Sequence, residues 1–357
     1  MLINSKVVSF NILANRFTYY STDSHKGESL GSMNYRYQSI ISILWTILAD
    51  IYLLQEVDHH FYNLIKRSNF RKNYYISYLF CQARDNEVNK DDIGLLLLIN
   101  KKQYHVSKSL NSKINSLEQK KEYPLLKYKG EPSSFIGFNH IIQKNGKEVG
   151  NIKKISQLLI IEKNHHPFIV INCHFEGRPE RQDIRIEQFK HCCQIAQNCI
   201  TQYDLEHRLL IGGDFNEPKE KDIQKLYLSK IPFNLKLLNV KPDYTSNLRY
   251  QKNKETKKWE KINRVEKIDY LIGSNDFKIT HEEVIPKEDI KKFPIWQQTF
   301  EAFNSNKLKK VKNWPSDHRL VSFLLEYNTE DVKSLKKKET GNSLKKTLKN
   351  SRKYQLL

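Results

Sequence analysis

Eight short segments of the chain (6–12, 51–55, 93–100, 155–162, 168–174, 208–212, 267–272 and 320–327) are rich in Ile, Val, Leu and Phe. They show little alternation between apolar and polar positions, which predicts strands covered on both faces. Two stretches follow helical spacing instead. Over 34–49, Tyr37, Ile41, Leu44 and Leu48 share one face, and over 181–199, Ile186, Phe189, Cys193 and Ala196 do. Strands mixed with helices in this way predict an α/β or α+β domain over residues 1–327.

Two basic segments interrupt the pattern. One is 111–130; the other, 250–266, reads YQKNKETKKWEKINRVE, with Trp259 among lysines. From residue 328 the apolar period stops, and KSLKKKETGNSLKKTLKNSRK predicts a disordered, solvated basic tail over 328–357. Charge enlarges this picture: 60 Lys and Arg against 40 Asp and Glu leave +20. Such a surplus is silent about fold but points to a polyanionic partner, nucleic acid first and an anionic membrane lipid second. A Lys-, Asn- and Ile-rich composition also follows from AT-rich coding, and the two origins are compatible. Five cysteines form no C-x-x-C pair, so neither a disulfide framework nor a zinc site is expected. No apolar run approaches the ~18 residues of a membrane span, and the first residues are too polar for a signal peptide. The expectation is a cytoplasmic or nuclear monomer.

The strand ends carry the chemistry. Asn11 stands in SFNILAN, Glu56 in IYLLQEVD, His174 in VINCHFEG, Asp214 and Asn216 in LLIGGDFNEP, and Asp269 in KIDYLIG. Asp317 and His318 precede the last strand in WPSDHRLV. One polar residue at a strand end is usually a cap; six such ends describe a single polar site built on a rigid sheet. The oxygen donors Asn11, Glu56, Asp214, Asn216 and Asp317, without thiolates, select Mg²⁺ or Mn²⁺. Histidines among carboxylates are held protonated and suit an anionic substrate. P-loop, G-x-S-x-G and H-E-x-x-H motifs are absent, which sets aside nucleotide kinases, serine hydrolases and zincins. What remains is the equipment for phosphoester hydrolysis.

The ordered series N-x-L, L-Q-E-V, strand-end His, G-D-F-N, D-Y and S-D-H resembles the endonuclease/exonuclease/phosphatase family over residues 5–327. FNILAN, ADIYLLQEVD, DDIGLLLLINKK and IRIEQ are most similar to its deadenylase-like branch, the nocturnin, angel and 2′-phosphodiesterase type. The resemblance implies a four-layer α/β/β/α sandwich of two mixed sheets flanked by helices, with the active site at one end of the sheets. It implies Mg²⁺ on Glu56 with support from Asn11, and Asp317 at a second metal. It gives Asp214 the attacking water, Asn216 the nucleophile or a phosphate oxygen, and His174 the transition-state oxygens or leaving group. His318 would contact the phosphate, its tautomer held by Asp269. The implied activity is a Mg²⁺-dependent RNA 3′-exonuclease; a phosphoinositide phosphatase or a DNA endonuclease of the same family are the alternatives. Arg178, Arg185 and Trp314 are candidate substrate contacts, Trp314 by stacking a base. FEGRPERQ departs from the branch, which leaves base preference open. Arg36 either pins the first helix near the site or is simply exposed.

Overall fold

In the computed structural model of the protein, the eight apolar runs form the centres of two mixed sheets. The residues described are 2–14, 30–80, 93–106, 136–139, 143–144, 147–148, 154–203, 205, 208–231, 234–238, 245–252, 255–256, 259–285 and 316–328. The segment 111–130, Trp314 and the tail from residue 329 lie outside them. In chain order the elements are β1 (Leu2–Asn11), α1 (Leu30–Ile47), β2 (Ile51–Asp58), α2 (His59–Arg67), α3 (Phe70–Asn73), β3 (Tyr74–Phe80), β4 (Ile93–Asn100) and β5 (His105–Val106). Then come β6 (Ile136–Asn139), β7 (Gln143–Lys144), β8 (Lys147–Glu148), β9 (Ile155–Lys163), β10 (His166–His174), α4 (Gln182–Tyr203), β11 (Leu209–Asp214) and β12 (Leu235–Leu237). The last are β13 (Ser246–Lys252), β14 (Trp259–Glu266), β15 (Asp269–Ser274), β16 (Lys278–Ile285) and β17 (Leu320–Asn328).

The first sheet has the order β16-β17-β1-β2-β4-β3, and the second β12-β15-β11-β10-β9-β5, with β6 also on β9. Each sheet has one parallel pair at its heart, β1–β2 and β10–β11, and antiparallel neighbours outside it. Strand alternation then sorts the apolar residues into layers. Val7, Leu53 and Leu97 meet Leu159, Val170 and Leu210 between the sheets. Their neighbours Val8, Leu54 and Leu98 face outward to Tyr37, Ile40 and Leu44 of α1. On the far side Ile160, Ile171 and Ile211 meet Phe189, Cys193 and Ala196 of α4. The result is the expected α/β/β/α sandwich. Both faces of the central strands are apolar because both are covered.

Several elements escaped the apolar pattern. β16 is an edge strand with exposed or half-exposed residues through most of its length, so its sequence KITHEEVI contains no apolar run. The basic segment 250–266 is largely an antiparallel hairpin, β13–β14, with Tyr250 opposite Lys261 and Lys252 opposite Trp259. Leu48 does not join the buried face of α1: the helix ends at Ile47, and Leu48 is 58% exposed with φ of 50°. Ile40, Ile43 and Ile47 fill that face with Tyr37 and Leu44. Among the described residues the thiols of Cys173, Cys192, Cys193 and Cys199 are buried in the interior. No helix of the described residues is long and apolar enough to cross a membrane.

A buried polar tie joins the sheets just behind the strand ends. The fully buried Asn172 amide donates to Leu54 O at 3.0 Å and Leu96 O at 3.3 Å, and its Oδ1 accepts from Gln55 Nε2 at 2.8 Å. The β2–β4 register shifts between Leu54 and Val57, so backbone groups there need partners from outside the ladder. Asn172→Ala should therefore cost about 3 kcal/mol, since several buried polar groups lose a partner at once. Urea unfolding at neutral pH measures it; a loss below about 1 kcal/mol would mean that the tie contributes only an ordinary exposed-bond increment.

Candidate active site

Six polar side chains reach one edge of the sandwich because of strand direction. Asn11, His174 and Asp214 close β1, β10 and β11, and Glu56 lies near the end of β2. These four strands form the two parallel pairs, with Asn11 beside Gln55 and His174 beside Asp214 in register. Asp269 opens β15 directly opposite Asp214 in the antiparallel ladder. His318 stands just before β17, which runs antiparallel to β1. Strand ends are sound places for such groups, since the sheet fixes the backbone while the side chain emerges beyond it.

Local backbone chemistry aims them. Glu56 sits in the β2 irregularity with φ of 56°, Asn216 has φ of 51° and Leu13 has φ of 58°. Such conformations are uncommon outside glycine and collect where side chains must be aimed. The glycine pair before Asp214 meets two separate demands. At Gly212 a Cβ would come within 2.5 Å of Leu53 Cδ1 across the sheet interface. At Gly213, with φ of 143°, it would lie 2.0 Å from the Cys173 carbonyl oxygen.

The carboxylates are held close together. Asn11 Nδ2 donates to Glu56 Oε1 and to Asp214 Oδ2, both at 3.0 Å, while Asn11 Oδ1 accepts from Leu13 N–H at 3.0 Å. The amide nitrogen thus clamps the two carboxylates, while the tight turn after β1 engages the oxygen. Ala14 N–H donates to Glu56 Oε2 at 3.2 Å. Asp214 Oδ1 accepts from Asn216 N–H at 2.9 Å, and Asn216 Nδ2 donates to Phe175 O at 3.0 Å. Arg36 is buried and donates to Ile12 O at 2.9 Å, which ties α1 to the end of β1.

His318 and Asp269 form the expected pair, Nδ1 to Oδ2 at 2.9 Å, leaving Nε2 directed inward, 3.8 Å from Asp214 Oδ2. The Thr245 hydroxyl receives the Ile268 and Asp269 N–H groups. Ser316 Oγ donates to Asn11 O at 2.8 Å and accepts from His318 N–H at 3.1 Å, so the serine of S-D-H latches the histidine loop onto β1. Burial opposes the imidazolium, yet Asp269, by charge and hydrogen bond, with Asp317 and Asp214, holds the His318 pKa well above the ordinary histidine value. Burial pushes the Asp214 carboxyl up to about 7, against the pull of His318 and with a push from Asp269. Asp317 is likewise buried, and is pushed up to about 6 despite His318, with Glu56 adding to the rise.

Glu56, His174 and Asp214 each offer one ligand atom, all within 4.8 Å of one another, and Asp214, Asp269 and His318 do the same. His174 Nε2 lies 3.7 Å from Asp214 Oδ2 and 3.9 Å from Glu56 Oε1. Lys154 Nζ lies 2.7 Å from the same nitrogen, and no motif announces that residue.

The candidate substrate contacts fare unequally. Arg178 is 53% exposed beside the site and forms a two-pronged pair with the buried Glu176, Nε to Oε1 and Nη2 to Oε2, each at 3.0 Å. Arg185 is corrected: it is 2% exposed and cannot face a substrate. It reaches Glu217 Oε2 at 3.3 Å and the carbonyl of Arg178 at 2.8 Å, so it braces the loops after β10 and β11 against each other. A charge this far inside is tolerated only with a partner. Glu176 and Glu217 were missed for the same reason: a lone acid in a loop has no periodicity. Trp314 lies outside the described residues.

No protein-family model and no curated protein sequence matches the chain. Solved structures do. The human nocturnin catalytic domain, with bound sulfate, superposes with a TM-score of 0.56 at 16% identity, covering 92% of this chain and 97% of its own. An endonuclease/exonuclease/phosphatase from Bacteroides vulgatus gives 0.57 at 15% identity, covering 91% and 100%. ANGEL2, a 2′,3′-cyclic phosphatase in complex with adenosine-2′,3′-vanadate, gives 0.58 at 14% identity, covering 91% and 96%. Likeness at these identities is one of architecture, and it agrees with the motif order and the strand-end cluster in assigning this chain the endonuclease/exonuclease/phosphatase fold.

Proposed function

We propose that the protein is a divalent-metal-dependent phosphoester hydrolase acting on nucleic acid, and more closely a 3′-exonuclease on single-stranded RNA. The observation that carries the reading is the double cluster of Glu56, His174, Asp214, Asp269 and His318, gathered from both sheets onto one edge. Buried carboxylates pressed by like charge, Asp214 by Asp269 and Asp317 by Glu56 and Asp269, are stabilised by a cation among them. Their donor atoms are hard oxygens, which fits Mg²⁺ or Mn²⁺. Glu56 would hold the ion, with Asp214 and Asp317 close by. Once bound, it supplies charge neutralisation at the phosphate oxygens.

The protein groups divide the remaining work. Asp214, poised near neutrality, takes the proton of the attacking water. Asn216, anchored to Phe175 O, orients that water or a phosphate oxygen. The His318 imidazolium, fixed by Asp269, donates from Nε2 to the phosphate. The nucleic-acid reading is supported by the +20 charge, and the preference for RNA by the likeness to ANGEL2, whose bound ligand is adenosine-2′,3′-vanadate.

The test is cleavage of end-labelled 20-mers of poly(A) RNA, mixed RNA and single-stranded DNA. A ladder shortening from the 3′ end of RNA, silenced by EDTA and restored by Mg²⁺ or Mn²⁺, is expected. Rescue by zinc alone would overturn the ligand assignment. Cleavage of DNA only would move the assignment to a DNA nuclease. Release of phosphate from phosphoinositide vesicles, with every oligonucleotide intact, would move it to a lipid phosphatase.

A further inference from the structure

We propose that the end of the sandwich remote from the catalytic edge is a docking surface for an anionic phospholipid bilayer. Exposed Leu48 and Trp45 enter the lipid interface there, inside a cluster of cations from α2, α3 and the β4–β5 turn. This face is separate from the candidate active site and independent of what that site hydrolyses.

Strand direction brings these residues together. α1 leads back from the end of β1 to the start of its parallel neighbour β2, so its last turn lies at the opposite end from Asn11 and Glu56. From Ile51 to Glu56 alone, β2 spans roughly 17 Å. α3 joins that end through Phe70, which meets the Trp45 ring edge-on at 5.2 Å. β3 joins it through Tyr74, whose hydroxyl donates to Ala49 O at 2.8 Å. The turn after β4 completes the surface: Lys101 N–H donates to Asn73 O, and Lys101 Nζ to Arg71 O, each at 2.9 Å.

Composition then singles the surface out. Leu48 is 58% exposed on a left-handed backbone, and Trp45 is 36% exposed. Around them Lys66, Arg67, Arg71, Lys72, Lys101 and Lys102 are all exposed, and none of the six is in an ion pair with a described residue. The segments 30–49, 59–80 and 93–106 contain no Asp or Glu. Asp50, at the start of β2, is engaged by Lys6 N–H and the Asn100 amide. Unopposed cations attract an anionic surface. The apolar pair decides which one. An aliphatic side chain offers a nucleic acid neither charge nor a stacking ring, whereas Leu and Trp beside Lys and Arg are the equipment of a membrane interface. A strand held at the catalytic edge would also have to run the length of β2 to arrive here. A bilayer docked at this end leaves the catalytic edge turned away from the lipid.

Co-sedimentation of the full chain with vesicles of phosphatidylserine and phosphatidylcholine, and of phosphatidylcholine alone, tests it. Wild type should bind the first and not the second, more weakly as salt rises. A variant carrying Arg71→Gln, Lys72→Gln, Lys101→Gln and Lys102→Gln should bind about 10²-fold more weakly or worse, at about fivefold per cation near the surface. Leu48→Asn, a residue that tolerates the left-handed backbone, should weaken binding about tenfold through lost apolar burial. Thermal melting should show both variants folded, since every changed side chain is exposed. Lys333→Gln, Lys336→Gln, Lys337→Gln and Lys338→Gln together control for charge alone. A loss in that variant equal to the loss from the four surface cations would overturn the assignment. So would wild-type affinity in Leu48→Asn, or failure of the wild type to bind the charged vesicles. If the surface variant binds vesicles as wild type does but loses affinity for RNA 20-mers, the face takes nucleic acid and the bilayer is refuted.

Discussion

Asp214→Ala should lower turnover by about 10³-fold or more while the protein stays folded, because it removes the group that takes the proton of the attacking water. Stability should change little, for reasons on both sides of the balance. The variant loses the acceptor for Asn216 N–H and one of two acceptors for Asn11 Nδ2. It also loses a buried carboxyl that burial pushes from 3.8 up to about 7. The folded state holds that proton more tightly than the unfolded chain does. The stability tied to Asp214 is thus full below about pH 3.8 and is lost as pH climbs towards 7. In EDTA, urea unfolding at pH 5 and pH 7.5 should show the wild type losing ground to Asp214→Ala across that window. A variant that is inactive and unfolded together would make Asp214 a structural residue.

Gly213→Ala should be among the most destabilising single substitutions in the chain, at ~4 kcal/mol or more. The added Cβ would sit 2.0 Å from Cys173 O and 3.0 Å from Cys173 N, on a backbone with φ of 143°. Neither partner can yield cheaply. Both belong to the β10–β11 pair at the centre of the second sheet, between the α4 layer and the first sheet. Relief would have to part the strands that carry His174 and Asp214, so the site should open along with the fold. Gly31→Ala is the contrast: in the first turn of α1 its Cβ meets nothing within 4 Å, and the change should stabilise by up to about 1 kcal/mol. Denaturant midpoints of the pair decide it. Equal stabilities would show that the second sheet tolerates a side chain at Gly213 by a shift of register.

Central strands were the easiest elements to read. Strands such as IGLLLLIN and ISQLLIIEK are buried on two faces, so their apolar character survives whatever they are packed against. The polar residues that break into such runs at their ends stand out by contrast, which is how Glu56, His174, Asp214, Asp269 and His318 were found. Edge strands and hairpins lack that contrast. β16 has solvent on one side and reads as charged, and β13–β14 reads as a basic insertion.

The linear order of residues was enough to predict an α/β or α+β domain with polar groups gathered at the ends of buried strands, because burial is written into local composition, and the layered sandwich followed from the resemblance of the motif series. Four matters depended on the third dimension. Which atom Asn11 turns to the carboxylates follows from Leu13 N–H claiming its oxygen. That Arg185 is a brace follows from the covering of α4 and from Glu217, 32 residues away. The aim of Glu56 follows from an irregularity against β4. Lys154 meets His174 only because β9 and β10 pair antiparallel in one register, and a shift of a single residue would send the ammonium elsewhere. Periodicity records what a residue is buried against on average, whereas hydrogen-bond partners are chosen by contacts between distant segments, and no local pattern encodes them.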